Sequence, residues 1–298
     1  LNSLILNYIL SRDFLLRRLT DSASQSLIAD MGSFVWKDKV VWVTGASSGI
    51  GEALVKELAK LGARVVLSAR NEKELKRVQL ECSLDEGHSL LLPLDISDYK
   101  NLQKKVQTVQ KKWSQIDVLI NNAGVSQRDL AENTSIEVTE KIMDINFFGV
   151  VALSKAVYPL MKKNKSGILV VIASLAGKIG TPLRSSYCAS KHAVLGFFDG
   201  WRGEAFHDGI QITTVCPGFV KTKISLNALV GDGKNQGKMD EGIENGLEAD
   251  YTARVILAGI ARGKDELIIS GFKERFAYFL KRFFPRVLNR ILRQAKVT

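Results

Sequence analysis

The chain has 298 residues, with the charged (24%) and apolar (46%) fractions of an ordinary globular protein and a formal net charge of +11. That length can bury one large core. The three cysteines (Cys82, Cys188, Cys216) and three histidines (His88, His192, His207) show no paired spacing, which argues against a disulfide framework or metal site and for a reducing, cytoplasmic compartment.

No run reaches the ~18 apolar residues of a membrane span. The start is partly apolar but is cut by Arg12, Asp13, Arg17 and Arg18, and Met31-Gly32-Ser33 reads as an alternative beginning. Residues 1–33 are therefore expected to be an appendage outside the fold. A single domain is expected over 34–271 and a basic tail over 272–298.

Lys39 to Thr44 reads as a buried strand, followed by Gly45-Ala46-Ser47-Ser48-Gly49-Ile50-Gly51 and a helical pattern from Glu52 to Leu61. Strand, glycine turn and helix together present backbone N–H groups to a phosphate. The spacing Gly-x-x-x-Gly-x-Gly is neither the usual dinucleotide fingerprint nor a P-loop. Ala63 to Ala69 is a second strand. The fingerprint expects an acid near its end, to hold ribose hydroxyls, but Ser68, Ala69 and Arg70 stand there. Arg70 would pair with a 2′-phosphate that an acid would repel, which favours NADP(H) over NAD(H). Capping of a strand end is the other reading of Arg70.

The pattern continues with a helix over 71–83 and a strand over 89–94 that ends at Asp95 and Ile96. Next come a helix to Trp113 with Ser97 as its cap, and a strand over 117–120 closed by Asn121-Asn122-Ala123-Gly124. A long helical region, 135–162, holds Asn146. A strand over 167–173 ends in Ser174, a helix spans 186–206, a strand over 211–216 is closed by Pro217-Gly218, and 266–270 is the last strand. Strands alternating with helices predict an α/β fold: one doubly wound, Rossmann-like parallel sheet in three layers, α/β/α. Residues 223–247, with five glycines among charges, break the pattern and read as a lid over a substrate.

On the helix over 186–206, Tyr187 and Lys191 fall at i and i+4, on one face. A cation beside a phenol lowers its pKa from about 10, so that it can serve as an acid or base near neutrality. The pattern alone is also met in plain packing pairs.

Thr44-Gly45-x-x-x-Gly49-x-Gly51, Asn121-Asn122-Ala123-Gly124, Asn146, Ser174, Tyr187-x-x-x-Lys191 and Pro217-Gly218, in this order, resemble the short-chain dehydrogenase/reductase family over roughly 39–270. Leu67-Ser68-Ala69-Arg70, Val125-Ser126-Gln127-Arg128 and Tyr187-Cys188-Ala189-Ser190-Lys191-His192-Ala193 more narrowly resemble its "member 7" group and bacterial relatives. The resemblance implies a proton donor or acceptor in Tyr187, with Lys191 tuning it and bonding the nicotinamide ribose. It implies that Ser174 bonds the reacting oxygen and Asn146 holds a water. Gly45, Ser47, Ser48, Gly49, Ile50 and Gly51 would cradle the cofactor's pyrophosphate and adenosine side. Asp95 and Ile96 would meet the adenine, Asn122 its ribose or the sheet, and Val220 and Thr222 the nicotinamide amide. Cys188, His192 and Cys216 read as packing residues.

The implied activity is NADP(H)-dependent reduction of a carbonyl or oxidation of an alcohol. The substrate would be a small lipophilic molecule in a pocket expected from Val125, Ser126, Leu175, Leu183 and the loop after Thr222. The implied assembly is a homo-dimer or tetramer through the Asn146 and Tyr187 helices, with no nucleic acid. The alternative is a catalytically silent nucleotide-binding scaffold or sensor at a membrane surface.

Much of the positive charge lies in the tail, where Lys273, Arg275, Lys281, Arg282, Arg286, Arg290, Arg293 and Lys296 face only Glu274. Phe272, Phe276, Phe279, Leu280 and Phe283 are expected on one helical face. After an interruption at Pro285, Val287, Leu288, Ile291, Leu292 and Ala295 are expected on another. An apolar stripe opposite arginines suits peripheral contact with a membrane through 272–298; packing on protein is the competing expectation.

Overall fold

The computed structural model describes residues 34–294. The expected appendage (1–33) and the last tail residues, Ala295 and Lys296 included, lie outside the described residues. Seven strands form one sheet: β1 (Val40–Thr44), β2 (Arg64–Ser68), β3 (Ser89–Leu91), β4 (Val118–Asn121), β5 (Gly167–Ile172), β6 (Ile210–Pro217) and β7 (Glu266–Ile269). Their order is β3-β2-β1-β4-β5-β6-β7, and every neighbouring pair is parallel.

Alternation along the strands feeds two cores. Val40 and Trp42 of β1 face the layer of helices α3 (Tyr99–Trp113), α5 (Gly149–Asn164) and α6 (Ser185–Ala205). Val41 and Val43 face α1 (Gly49–Lys60), α2 (Glu72–Glu81) and α8 (Ala249–Ala261). Both faces are covered, so the strands can be apolar throughout. β1 leads to β2 and β3 on one side, while β4 pairs on the other. Such a reversal opens a crevice beyond the carboxyl ends of β1 and β4.

Several local expectations shift. Ser97 does not cap α3; its hydroxyl is drawn to Asp95 Oδ1 at 2.6 Å, and Asp98 takes the cap position. α8 was not anticipated, although Thr252, Ala253, Ile256, Leu257 and Ile260 place a buried stripe at helical spacing. The long helical region consists of α4 (Ile136–Met143), a π-helical segment over Asp144–Phe148, and α5. Residues 223–247 form an ordered wall that includes the short helix α7 (Glu241–Glu244). Leu229 exchanges backbone hydrogen bonds with Ser126 and Arg128, both 2.9 Å, and so ties this wall to the loop after β4.

The tail forms α9 (Phe272–Phe283) and α10 (Pro285–Leu292). Pro285 opens α10, where its missing N–H costs nothing. The faces divide differently from the simple stripes expected. Leu280 and Leu288 are buried with Ile179. Phe272, Phe276, Phe279 and Phe283 stay exposed as a ladder of neighbouring rings. Among the described residues no helix is long and apolar enough to cross a membrane.

Candidate active site

A cavity of about 770 Å³ occupies the crevice between β1 and β4. Its lining includes Gly45, Ser47, Ser48, Gly49, Ile50, Arg70, Asp95, Ile96, Asn122 and Thr222. Ser48 is extended (φ −166°) and its side chain accepts nothing from the first turn of α1, which leaves donors there for a bound anion. Gly49 has φ +57°, a value that glycine adopts without strain. A Cβ on Gly49 would come within 2.9 Å of Thr222 Cγ2. Gly51 does not line the cavity. A Cβ there would meet Gly45 O at 2.1 Å, so this glycine lets the loop fold onto the helix.

Asn122 serves the sheet: its Nδ2 donates to the carbonyls of Thr44 (3.1 Å) and Gly45 (3.3 Å), locking β4 to the glycine loop. Burial would raise the Asp95 carboxyl, but hydrogen bonds from Ser97 and the nearby charges of Arg70 and Lys141 leave it below the ordinary value. Arg70 itself is exposed and has no hydrogen-bonded or ion-paired partner among the described residues. The cradle of donors, the glycine approach and the free guanidinium fit a dinucleotide.

A second cavity, of about 330 Å³, adjoins the first through the shared walls of Ile50, Asn122, Gly124, Thr222 and Ile224. Ser174, Tyr187, Lys191 and Val220 line it. Asn146, buried in the π segment, accepts from Val125 N and donates to Val125 O, both at 2.9 Å, and donates to Ser190 Oγ at 3.0 Å. A π turn inside an α-helix often marks a functional site. Here it aims one side chain at the loop after β4. Lys191 Nζ donates to Ile172 O at 2.9 Å. Burial pulls its pKa down to about 8.

Tyr187 does not follow the expected direction. Burial pushes the phenol above its ordinary pKa, while the Ser174 hydrogen bond and the cations Arg184 and Arg128 pull it down. The Lys191 ammonium is 5.8 Å from the centre of the ring and is engaged by the Ile172 carbonyl, so its influence here is outweighed. Cys188 and Cys216 are buried, as packing residues should be, and burial raises the Cys216 thiol to about 12.

The smaller cavity differs from the expected pocket. Ser126, Leu175 and Ile224 line it, but Leu183 does not, and Val125 faces the larger cavity. Leu183 has φ +63°, with its carbonyl held by Asp129 N at 3.1 Å. In place of Leu183 the next residue, Arg184, joins the wall together with Arg128. In the sequence Arg128 stands only within a family-like stretch, and Arg184 carries no local signal at all. Ala277 and Leu292 of the tail complete the lining.

The crevice at the strand reversal, the open first turn of α1 after the glycine loop, and Tyr187 and Lys191 buried beside a half-buried Ser174 make up a nucleotide-binding Rossmann fold. The short chain dehydrogenase family matches residues 39–229, and the chain belongs to the short-chain dehydrogenase/reductase family. Within it the chain falls in the member 7 group. It is 42% identical over 261 residues to the dehydrogenase/reductase SDR family protein 7-like of Anopheles gambiae, covering 86% of this chain and 82% of that one. It is 40% identical over 253 residues to the dehydrogenase/reductase SDR family member 7 of Homo sapiens, covering 83% and 75%. The fold matches a short-chain dehydrogenase/reductase from Burkholderia phymatum in complex with NAD (TM-score 0.76, 22% identity, 89% of this chain and 98% of that one).

Proposed function

We propose that this protein is an NADP(H)-dependent oxidoreductase that interconverts a carbonyl and an alcohol on a lipophilic substrate. The observation that supports it most is the position of Ser174, Tyr187 and Lys191 together in the smaller cavity, which adjoins the crevice. A nicotinamide held beside Val220 and Thr222 would supply the hydride for the carbonyl carbon, or accept it from the alcohol. Tyr187 gives its proton to the carbonyl oxygen, so hydride and proton together yield the alcohol. A phenol held protonated by burial suits the donor role. Ser174 Oγ bonds the same oxygen. Lys191 holds positive charge beneath the site, and Asn146 fixes the loop that carries Gly124 and Val125. NADP(H) is favoured over NAD(H) by Arg70, a guanidinium beside the larger cavity with no hydrogen-bonded partner among the described residues.

The exposed aromatic ladder on α9, flanked by Lys273, Arg275, Lys281 and Arg282, supports peripheral contact with an anionic membrane. Exposed Phe148 and Phe197, on the Asn146 and Tyr187 helices, support assembly into a dimer or tetramer across those helices. The test of the activity is a panel of lipophilic ketones and aldehydes with NADPH and NADH, read by the loss of reduced cofactor. Cofactor binding without turnover on any of them would favour the silent scaffold.

A further inference from the structure

Two guanidinium groups are buried in the wall of the smaller cavity and share one carboxylate. Arg128 and Arg184 are 8% and 7% exposed, and Asp240, which joins them, is 5% exposed. Arg128 is held on every nitrogen: Nε and Nη2 donate to Asp240 Oδ2, the former at 2.7 Å, and Nη1 donates to Ser126 Oγ at 2.7 Å and Gln127 O at 2.6 Å. Arg184 is not. Its Nη2 reaches the same Asp240 oxygen at 3.2 Å, and its Nε–H is buried with no acceptor among the described residues. Its planar group stands over the Phe219 ring, 5.4 Å from the centroid. Asp240 Oδ1 is engaged by Gln236 at 3.0 Å.

A buried cation without its own counter-ion is costly, and so is an unsatisfied donor. Burial and the charge of Arg128 drag the Arg184 pKa down to about 10, against the pull of Asp240 and Tyr187. The lining is cationic on balance: Arg128, Arg184, Lys191 and Lys273 stand against Glu274 and against Asp240, which the two arginines share. The rest of the wall is largely apolar, with Ile50, Ile172, Leu175, Ile179, Ile224 and Ile243 among it.

We propose that the substrate carries an oxyanion, a carboxylate or phosphate ester, set apart from its reacting carbonyl by an apolar stretch, and that Arg184 is its seat. This rests on the carbonyl–alcohol reading above. Arg128, held by Asp240 across 112 positions of sequence, is the fixed post against which Arg184 is aligned. Arg184 stands three residues before Tyr187 on the lead-in to α6, so one short segment carries both the anion seat and the proton donor. The apolar walls take the carbon skeleton between them. A merely lipophilic, neutral substrate would leave the Arg184 donor buried and unmet.

The test uses three compounds of one skeleton: a medium-chain oxo carboxylate, its methyl ester, and the corresponding oxo-alkyl phosphate. Steady-state kinetics and calorimetric binding are measured on wild type, Arg184→Gln and Arg184→Lys, with unfolding curves to verify that each variant is folded. The expected result is a kcat/KM for the carboxylate or the phosphate about 10- to 100-fold above that for the ester. Arg184→Gln should erase that ratio through KM, with the loss falling on the two anions and far less on the ester, while Arg184→Lys restores part of it. The better of the two anions identifies which one the seat takes. Equal use of acid, phosphate and ester by wild type, or an equal fall for all three in Arg184→Gln, overturns the proposal. If no compound turns over, the carbonyl reading fails, and calorimetry still decides the anion. Anion binding lost in Arg184→Gln upholds the seat, and its absence in wild type removes it.

Discussion

Asn146 grips Val125 by both backbone groups at once, accepting from its N–H and donating to its carbonyl at 2.9 Å. That pairing holds the loop after β4 against the helix that follows it. Gly124 lies between: a Cβ there would sit 3.1 Å from Asn146 Oδ1 and 3.6 Å from Lys191 Nζ. One side chain thus sets the floor on which the lysine and the cofactor loop meet.

Replacing Asn146 with Ala strands both groups of Val125 in a part-buried site. A loss of about 2–4 kcal/mol in unfolding free energy is expected, with a fall in kcat. Urea unfolding of the variant measures it. A change below about 0.5 kcal/mol would show that water meets those groups equally well.

Tyr187→Phe should lower kcat by roughly 10²–10⁴-fold while NADPH still binds. Fluorescence titration of the reduced cofactor, beside turnover on the best carbonyl of the panel, separates the two effects. Undiminished turnover would remove Tyr187 from the chemistry.

Arg70→Ala should weaken NADPH binding by roughly 1.5–3 kcal/mol and leave NADH binding nearly as it was. Titrating both cofactors against both proteins tests this. A wild type that binds NADH and NADPH alike would assign Arg70 to the surface.

The pH dependence follows from Lys191. Burial sets its pKa at about 8, below the ordinary 10.5, so it is a cation below that pH and neutral above it. The Tyr187 phenol, raised by burial, stays protonated across the same window. Reductive kcat/KM should therefore be level up to about pH 8 and fall beyond it. Stability moves the other way. Between about 8 and 10.5 the unfolded chain binds the proton that the folded chain has lost, so the penalty of burying the ammonium is relieved as pH rises. A reductive rate that keeps climbing well past pH 8 would place the controlling ionisation elsewhere.

The four exposed rings Phe272, Phe276, Phe279 and Phe283 can be changed to serine with little expected loss of stability. Wild type should sediment with anionic liposomes and the fourfold variant should not. Salt should weaken the binding without abolishing it, because screening removes charge attraction and leaves apolar burial. Deleting everything after Gly271 is a poorer test, since it also strips Leu280 and Leu288 from Ile179 and opens the smaller cavity. Wild type left in the supernatant at low salt would assign the rings to a protein contact.

What could be read from the sequence was local. Glycines at 45, 49 and 51, and a phenol and an amine four residues apart, announce themselves by spacing, because loop and helix fix those distances. Apolar runs alternating with helical stretches gave all seven strands within a few residues. The pair Arg128–Asp240 could not be read, because only the folded wall of 223–247 brings them together. The direction of the Tyr187 ionisation was also hidden. It depends on how much water the finished fold removes from the ring, and a two-residue motif contains no measure of that. The split of the tail's apolar residues likewise depended on where Ile179 would stand to receive Leu280 and Leu288.

The placement of α9 and α10 has a consequence for biosynthesis. Both leave the ribosome after every strand of the sheet has done so, and with them come Ala277 and Leu292, which close the smaller cavity. The nucleotide crevice, built from β1 to β4 and the helices between them together with Thr222 and Ile224, has all its parts earlier. A nascent chain can thus hold its cofactor, and draw stability from it, before it has a finished place for a substrate.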